Sequence, residues 1–565
     1  SSATADYYVI KNNGTATISA GKLTSSYGGI YNGTSAKLNV TGGTFNTTST
    51  TISNDSILST EENPSIVIDG DASLTVTAGN AVSNNDKGLV CIKNGTLSMT
   101  GTGASPTILN QKSGNILVSG GTIRMAGNNA AIYNGYNSGN GDGTVEIRGG
   151  TIESTASAGI YNYEKAKLII SGGSVNSYID GIAQYGTDAS TMIEGGTITS
   201  LASNNRAGLA IRNGTVMITG GKITGGQFGI WTGPEKPNIT LGINDGKVSV
   251  ISPEITGGVY GIYAQEGTIF NFYDGKLTGA KGNSISGTVT STATNCVVIK
   301  TTSGSTETAV LGPSAPVITA KLDDANGATY TGGTWTNHNV WVQLKSASIG
   351  AGIKEYQWYE NGAWTTRELT TNNNVGMITY TATRNETIRF RAIDNNGVIS
   401  YETVLGIKID KIAPTAPTIE KGYGILLNCS HNTANLTISG STYTTTSGDP
   451  MISFSGVNRY TNVTGVRVKF NKALEKNLET LQVFYSTGGA AYSEANSKKV
   501  GAPAGSTELK VDIPKGTYDN IRVDIGSVSG VSYELSDIYL ITSDDIWNNG
   551  NIRLVLNSTD ANSGI

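Results

Sequence analysis

Along the first three hundred residues, apolar side chains come in pairs two positions apart: Leu38 and Val40, Ile116 and Val118, Val145 and Ile147, Leu168 and Ile170, Val216 and Ile218, Phe270 and Phe272. A period of two predicts short β-strands, each with one inward face. In the strongest copies a glycine doublet follows, at Gly42-Gly43, Gly120-Gly121, Gly149-Gly150, Gly172-Gly173, Gly195-Gly196 and Gly220-Gly221. Three residues after the first glycine stands another apolar column, Phe45, Ile123, Ile152, Val175, Ile198 and Ile223, so each doublet separates two short strands at a bend that a Cβ would obstruct. A third strand carries Gly-Ile-Tyr-Asn or a relative, as at Gly29 to Asn32, Gly159 to Asn162 and Gly229 to Thr232. No helical period accompanies these segments.

The starts at 120, 149, 172, 195, 220, 245 and 274 are separated by 29, 23, 23, 25, 25 and 29 residues, and weaker copies extend the series back to residue 20. A period of about 25 residues is that of a solenoid. Three strands per turn predict an all-β parallel β-helix of about eleven coils, a rod about 50 Å long at roughly 4.8 Å per coil. Residues 1–312 resemble the right-handed parallel β-helix of the pectate-lyase-like superfamily. The resemblance concerns architecture. Enzymes of this fold cluster carboxylates on one sheet, with an Arg or His nearby. Here Glu146, Asp180, Asp188 and Glu194 fall at scattered coil positions, and residues 1–300 contain no histidine. No catalytic residue is assigned.

The outward positions carry the candidate chemistry. If Ile30, Ile132, Ile160, Ile182, Ile230 and Ile262 point inward, the following residues form an exposed column: Tyr31, Tyr133, Tyr161, Ala183, Ala210, Trp231 and Tyr263. Tyr31, Tyr133, Tyr161, Trp231 and Tyr263 are therefore candidate ligand-binding residues, suited to stacking on sugar or to contacting protein; the alternative is that the rings only stack along the rod. Asn32, Asn134 and Asn162, one position further on, read as an internal hydrogen-bonded ladder. A second outward column, Asn39, Leu117, Glu146, Ile169, Met192, Met217, Gly242 and Asn271, places Ile169, Met192 and Met217 where alternation calls for solvent. That apolar patch is a candidate partner contact, to be covered by a loop, a partner or a second copy.

Near Pro313-Ser314-Ala315-Pro316 the glycine repeat gives way to longer alternating strands. Residues 313–415, with Tyr356-Gln357-Trp358-Tyr359, Ala392-Ile393-Asp394-Asn395-Asn396-Gly397 and the closing Ile409-Asp410-Lys411-Ile412-Ala413-Pro414-Thr415, resemble a bacterial immunoglobulin-like surface module. Its tryptophans read as packing residues, and Asp394 and Asp410 as solvated turn residues, with structural calcium as the alternative. Residues 416–541 are similar to a jelly-roll sandwich, in which Tyr460, Tyr485 and Tyr492 are packing or sugar-stacking residues. In the last segment, 542–565, Trp547 to Ile565 matches Trp335 to Ile353 without a gap, which reads as the start of a second immunoglobulin-like repeat in a fragment of a larger protein.

Composition narrows the function. Of 565 residues 74 are glycine, a surplus that belongs to the coil bends. With 39 Lys+Arg against 43 Asp+Glu and no basic stretch, nucleic acid is not an expected partner. No apolar run reaches eighteen residues, so no membrane insertion is expected. Cys91, Cys296 and Cys429 follow no metal or disulfide spacing, and Cys91 within Leu89-Val90-Cys91-Ile92 reads as a core residue. The two histidines, His338 and His431, lie in different C-terminal segments, so no metal site is assigned and no cofactor beyond structural calcium is expected. These readings predict an extracellular, secreted or wall-attached bacterial adhesin that recognises a host or microbial glycan or a host protein, for example mucin or immunoglobulin, without catalysis. A polysaccharide lyase or glycoside hydrolase with accessory modules is the alternative, and a structural spacer a third.

Overall fold

The computed structural model describes residues 7–136, 141–347, 351–368, 375–543 and 552–557. Helical turns of the 3-10 type occur at Val457–Arg459 and Glu494–Asn496. The chain divides into two compact units, Ser1–Ile409 and Asp410–Ile565.

In the first unit, three parallel sheets run the length of a β-solenoid of about twelve turns. One sheet begins at Tyr8–Asn12, the second at Thr15–Ile18 and the third at Lys22–Ser25, and each strand pairs with its equivalent one coil later, as Ile30 with Ile52 and Leu38 with Ile66. The count exceeds the expected eleven because the last partial coil, Ile285–Ser286 and Ser291–Thr292, lacks the glycine doublet by which coils are recognised. The inward columns read from the sequence are buried: Leu38, Val40, Ile116, Val118, Val145, Ile147, Phe270 and Phe272 are at most 1% exposed and belong to one continuous core.

Each residue of a glycine doublet has its own reason. A Cβ on Gly172 would lie 2.4 Å from the carbonyl oxygen of Arg148 in the coil below, and Gly173 has φ +73°, which L side chains adopt at a cost. Both admit the neighbouring coil, since a Cβ on Gly173 would lie 2.8 Å from the Gly149 carbonyl oxygen, and Gly173 also makes the bend.

One coil departs from the expected ruler. The weak copy at Asp245 and its apolar Val248 form no strand; the strand that pairs with Lys222–Gly225 is Glu254–Gly257, with Ile255 facing the core. The intervening stretch is an inserted loop tied down by Asp274, whose Oδ1 accepts the N–H of Val250 at 2.8 Å and whose Oδ2 accepts that of Ser249 at 2.9 Å. The second outward column accordingly continues from Met217 to Thr240 and Asn271 rather than through Gly242.

The solenoid is closed by a hairpin, Cys296–Ser303 with Thr306–Pro313, which pairs antiparallel with the last strand of the third sheet, Lys276–Ala280. Capping of this kind removes an open edge that would otherwise template association. A two-sheet sandwich follows, with strand pairs such as Val317–Leu322 on Val340–Lys345 and a core around Tyr356, Trp358 and Phe390. It docks on the solenoid through Asn396, which donates Nδ2 to the carbonyl of Val248 at 2.8 Å, and through the Tyr401 hydroxyl on the carbonyl of Val298 at 3.1 Å.

The second unit is an antiparallel sandwich of its own, with a core that includes Ile452, Phe454, Val466, Val483, Val523 and Leu540. Its strand Thr418–Gly424 lies between Ser532–Thr542 and Ile552–Asn557. The pair Thr418 and Asn557 repeats the register of Val317 and Lys345. The rest of the matched terminal stretch, including Trp547 and Ile565, lies outside the described residues.

Candidate functional site

The outward column of the first sheet stands in the register expected of it: Tyr133 pairs with Tyr161, then Ala183, Ala210, Trp231 and Tyr263 follow in successive coils. Five steps at roughly 4.8 Å make a lane about 24 Å long. Tyr133, Tyr161, Trp231 and Tyr263 are half-buried. Tyr31 belongs elsewhere, separated from Tyr133 by Ser53, Ser83 and Leu109. Its hydroxyl donates to Asp55 Oδ2 at 2.8 Å, and its ring lies 5.9 Å from that of Tyr8.

A second outward column, two residues further along each strand, widens the lane. Tyr163 stacks between Tyr133 and Tyr185, with centroids 4.7 and 4.6 Å apart and planes within 16° of parallel. Tyr161 meets both Tyr163 and Tyr185 edge-on, at 5.8 Å. Arg212 follows Tyr185 in this column, its guanidinium 5.3 Å from the Tyr185 centroid and 5.8 Å from that of Trp231. On the other side of the lane Phe228 and Tyr260 stack at 5.5 Å, with Tyr263 5.1 Å from Tyr260. Between Tyr161 and Trp231 the ring column is interrupted by Ala183 and Ala210, which form a floor of small residues.

Burial dominates the electrostatics here. It pushes the Tyr163 phenol upward and that of Tyr185 up to about 12, the neighbouring tyrosines adding to the rise and the Arg212 charge opposing it. Asp180, at the edge of the lane, is likewise raised by burial, against the N–H of Ala207, which its Oδ1 accepts at 2.9 Å, and the charges of Arg206 and Arg212.

No family model matches this chain, and no curated protein matches it. Among solved structures it is similar to one described as "Structural basis for the promiscuous specificity of the carbohydrate-binding modules from the beta-sandwich super family", at 15% identity and a TM-score of 0.15 over 41% of this chain and 97% of that one. Another is chitinase ChiA74 from Bacillus thuringiensis, at 17% identity and a TM-score of 0.12 over 38% of this chain and 27% of that one. At these scores neither likeness carries an argument about function.

The apolar patch is also in place. Ile169, Met192 and Met217 are neighbours in register and line a shallow groove of about 410 Å³ with Lys167, Thr215 and Thr240. Upstream in the same column, Val67, Cys91 and Leu117 form a separate apolar cluster with Leu89. The hairpin of Ser59–Thr60 and Asn63–Pro64 lies beside it, with the Leu58 carbonyl accepting the Leu89 N–H at 2.8 Å. Arg148 holds the hairpin by Glu61 at 2.7 Å and also pairs with Glu146 at 2.5 Å. Cys91 is thus buried, but on the outer face and not in the solenoid core as its sequence suggested.

The remaining candidates are structural. Asp394 is a turn residue, yet buried rather than solvated: its Oδ1 accepts the N–H groups of Asn396 at 3.0 Å and Val398 at 2.9 Å, so this oxygen faces donors, not a cation. Asp410 is buried too, and its Oδ1 accepts the N–H of Ile412 at 2.9 Å. Among the described residues no group of three His, Cys, Asp or Glu side chains is placed to hold a metal. Tyr460 packs on Tyr423 and Tyr485 on Tyr518, while the Tyr492 hydroxyl lies 3.0 Å from Ser453 Oγ, in the same neighbourhood as the Arg522 and Asp524 pair.

The sequence reading missed Tyr163, Tyr185 and Arg212, and set Asp180 aside as scattered. The signal was present: Tyr163 and Tyr185 each follow a ladder amide, Asn162 or Gln184, in consecutive coils, the outward position next to the one already chosen.

Proposed function

We propose that this chain is a non-catalytic, extracellular carbohydrate-recognition protein of a bacterial surface, a β-helix of the pectate-lyase-like superfamily followed by immunoglobulin-like and jelly-roll modules. The observation that supports it is the lane from Tyr133 to Tyr263, where half-exposed rings line one flat sheet beside an arginine. Sugar rings present apolar C–H faces and polar edges, and an aromatic strip with polar neighbours suits both. Ring stacking along the lane also stabilises the rod, which holds the platform rigid before ligand arrives.

Glycan-array binding by the full chain, abolished on replacing Tyr133, Tyr161 and Trp231 by alanine with the fold intact by circular dichroism, is the expected result. Unsaturated or reducing ends released from pectin-like or mucin glycans would overturn the non-catalytic reading. The exposed groove at Ile169, Met192 and Met217 favours a second reading, a protein partner, which a host-protein pull-down lost on Met192→Lys would support.

A further inference from the structure

We propose that the lane selects an anionic saccharide, a chain bearing carboxylate or sulfate groups received by Arg212 beside the Trp231 ring. This rests on the reading of the lane as a glycan-binding face. The solenoid has four arginines. Arg124 pairs with Glu153 at 2.7 Å, and Arg148 with Glu61 and Glu146. Arg206 and Arg212 make no ion pair, and their side chains donate no hydrogen bond, among the described residues. Glu164 and Glu235, in the bends after neighbouring strands of the same sheet, form no ion pair with either among the described residues, although Glu235 Oε2 lies over Gly233 near the Arg212 backbone.

Asp180 feels the charges of both guanidinium groups without forming an ion pair with either among the described residues; its Oδ1 accepts the Ala207 N–H at 2.9 Å, and burial raises it against those charges. Arg212 is exposed, and its guanidinium rests near the Tyr185 and Trp231 rings while its N–H groups donate to no residue among those described. A planar fork with five unspent donors matches a carboxylate or sulfate in two parallel hydrogen bonds. Between Tyr161 and Trp231 the column carries Ala183 and Ala210, buried in one cluster with Tyr185 and Trp231, so the rings against which Arg212 rests are packed in place. Two arginines in a chain of net charge −4 do not make the basic groove by which single-stranded nucleic acid is held, so a saccharide is the favoured anion.

The test is calorimetric titration of the full chain with a heparin-derived hexasaccharide, oligogalacturonate and sialyllactose, with maltohexaose and cellohexaose as neutral controls and oligo(dT) as a competing polyanion. Binding of at least one acidic saccharide should weaken about ten- to a hundredfold in Arg212→Gln, less in Arg212→Lys, and should fall as salt is raised. Because Arg212 is exposed, the Gln variant should melt as the parent does; Arg206→Gln, at the far end of the strand Ala207–Ile211, should weaken binding less. Equal affinity for acidic and neutral saccharides, unchanged by Arg212→Gln, would overturn the proposal and leave the lane a neutral-sugar platform. No binding to any saccharide would remove the reading beneath it as well. Preferential binding of oligo(dT) would overturn it in favour of nucleic acid.

Discussion

Asn54 donates its side-chain Nδ2 to Asn84 Oδ1 at 2.7 Å, one coil further along the solenoid. The same bond recurs from Asn12 to Asn32, Asn32 to Asn54, Asn84 to Asn110, Asn110 to Asn134, Asn134 to Asn162 and finally Asn162 to Gln184. Each amide offers its oxygen to one neighbour and its N–H to the next, so a buried polar column stays satisfied throughout, and backbone carbonyls such as that of Gly88 take the second proton. The column ends at Ile211, the next residue in register after Gln184.

Breaking one rung should unpair both neighbours. Asn84→Ala leaves Asn54 Nδ2, Asn110 Oδ1 and the Gly88 carbonyl short of a partner, and should destabilise the solenoid by about 2–4 kcal/mol. Hydrogen exchange of the full chain should show lost protection centred on the coils of Asn54, Asn84 and Asn110. Unchanged exchange there would remove the ladder's structural role.

The two glycines of a doublet should differ in how they fail. Gly172→Ala drives a methyl to 2.4 Å from the Arg148 carbonyl oxygen, so the coils must shift apart. Gly173→Ala adds to a comparable clash, 2.8 Å from the Gly149 carbonyl oxygen, the strain of an alanine at φ near +73°, about 1–2 kcal/mol, so its loss should be the larger. Urea melts of the two variants decide the order.

Cys91 reports on the hairpin that lies over it. Arg148→Ala should let the hairpin open more often and raise Cys91 modification by N-ethylmaleimide about two- to fivefold at neutral pH, a modest change because the Glu61 pair is exposed. The Arg148 hydrogen bonds and charge hold the Glu61 carboxyl below its ordinary range. A depressed carboxylate stabilises above its unfolded pKa and ceases to do so as pH falls through the folded one. Hydrogen exchange at the Leu89 amide should therefore quicken in acid relative to a strand of the solenoid core.

Tyr185 sets an alkaline limit. Its phenol is raised to about 12, so the stabilisation from keeping it neutral is complete below about 10 and is lost as pH rises through about 12. Tyr185→Phe should flatten the fall in melting temperature over that window. An equally steep fall in the variant would place the sensitivity on other groups.

The ladder, the inward columns and the bends were legible in one dimension because the coils repeat one small set of constraints: two apolar positions, one residue with positive φ and, as far as Gln184, one amide. The same regularity misled at Asp245, where a glycine-bearing phrase stands in an inserted loop and the coil resumes at Glu254. It also concealed Tyr163 and Tyr185: a tyrosine follows the ladder amide in only these two coils, and their importance comes from stacking across coils.

Sequence alone thus determined the solenoid, its register and which face carries rings, since period and bend chemistry act locally and every coil reports them again. Tertiary structure alone decided which outward apolar residues are covered and which cations lack partners. Both depend on side chains brought together from distant coils: Arg148 reaches Glu61 across 87 residues and anchors a hairpin beside Cys91, while Ile169, Met192 and Met217 stay open. Arg212 meets Tyr185 and Trp231 and makes no ion pair among the described residues, a juxtaposition that no spacing along the chain encodes.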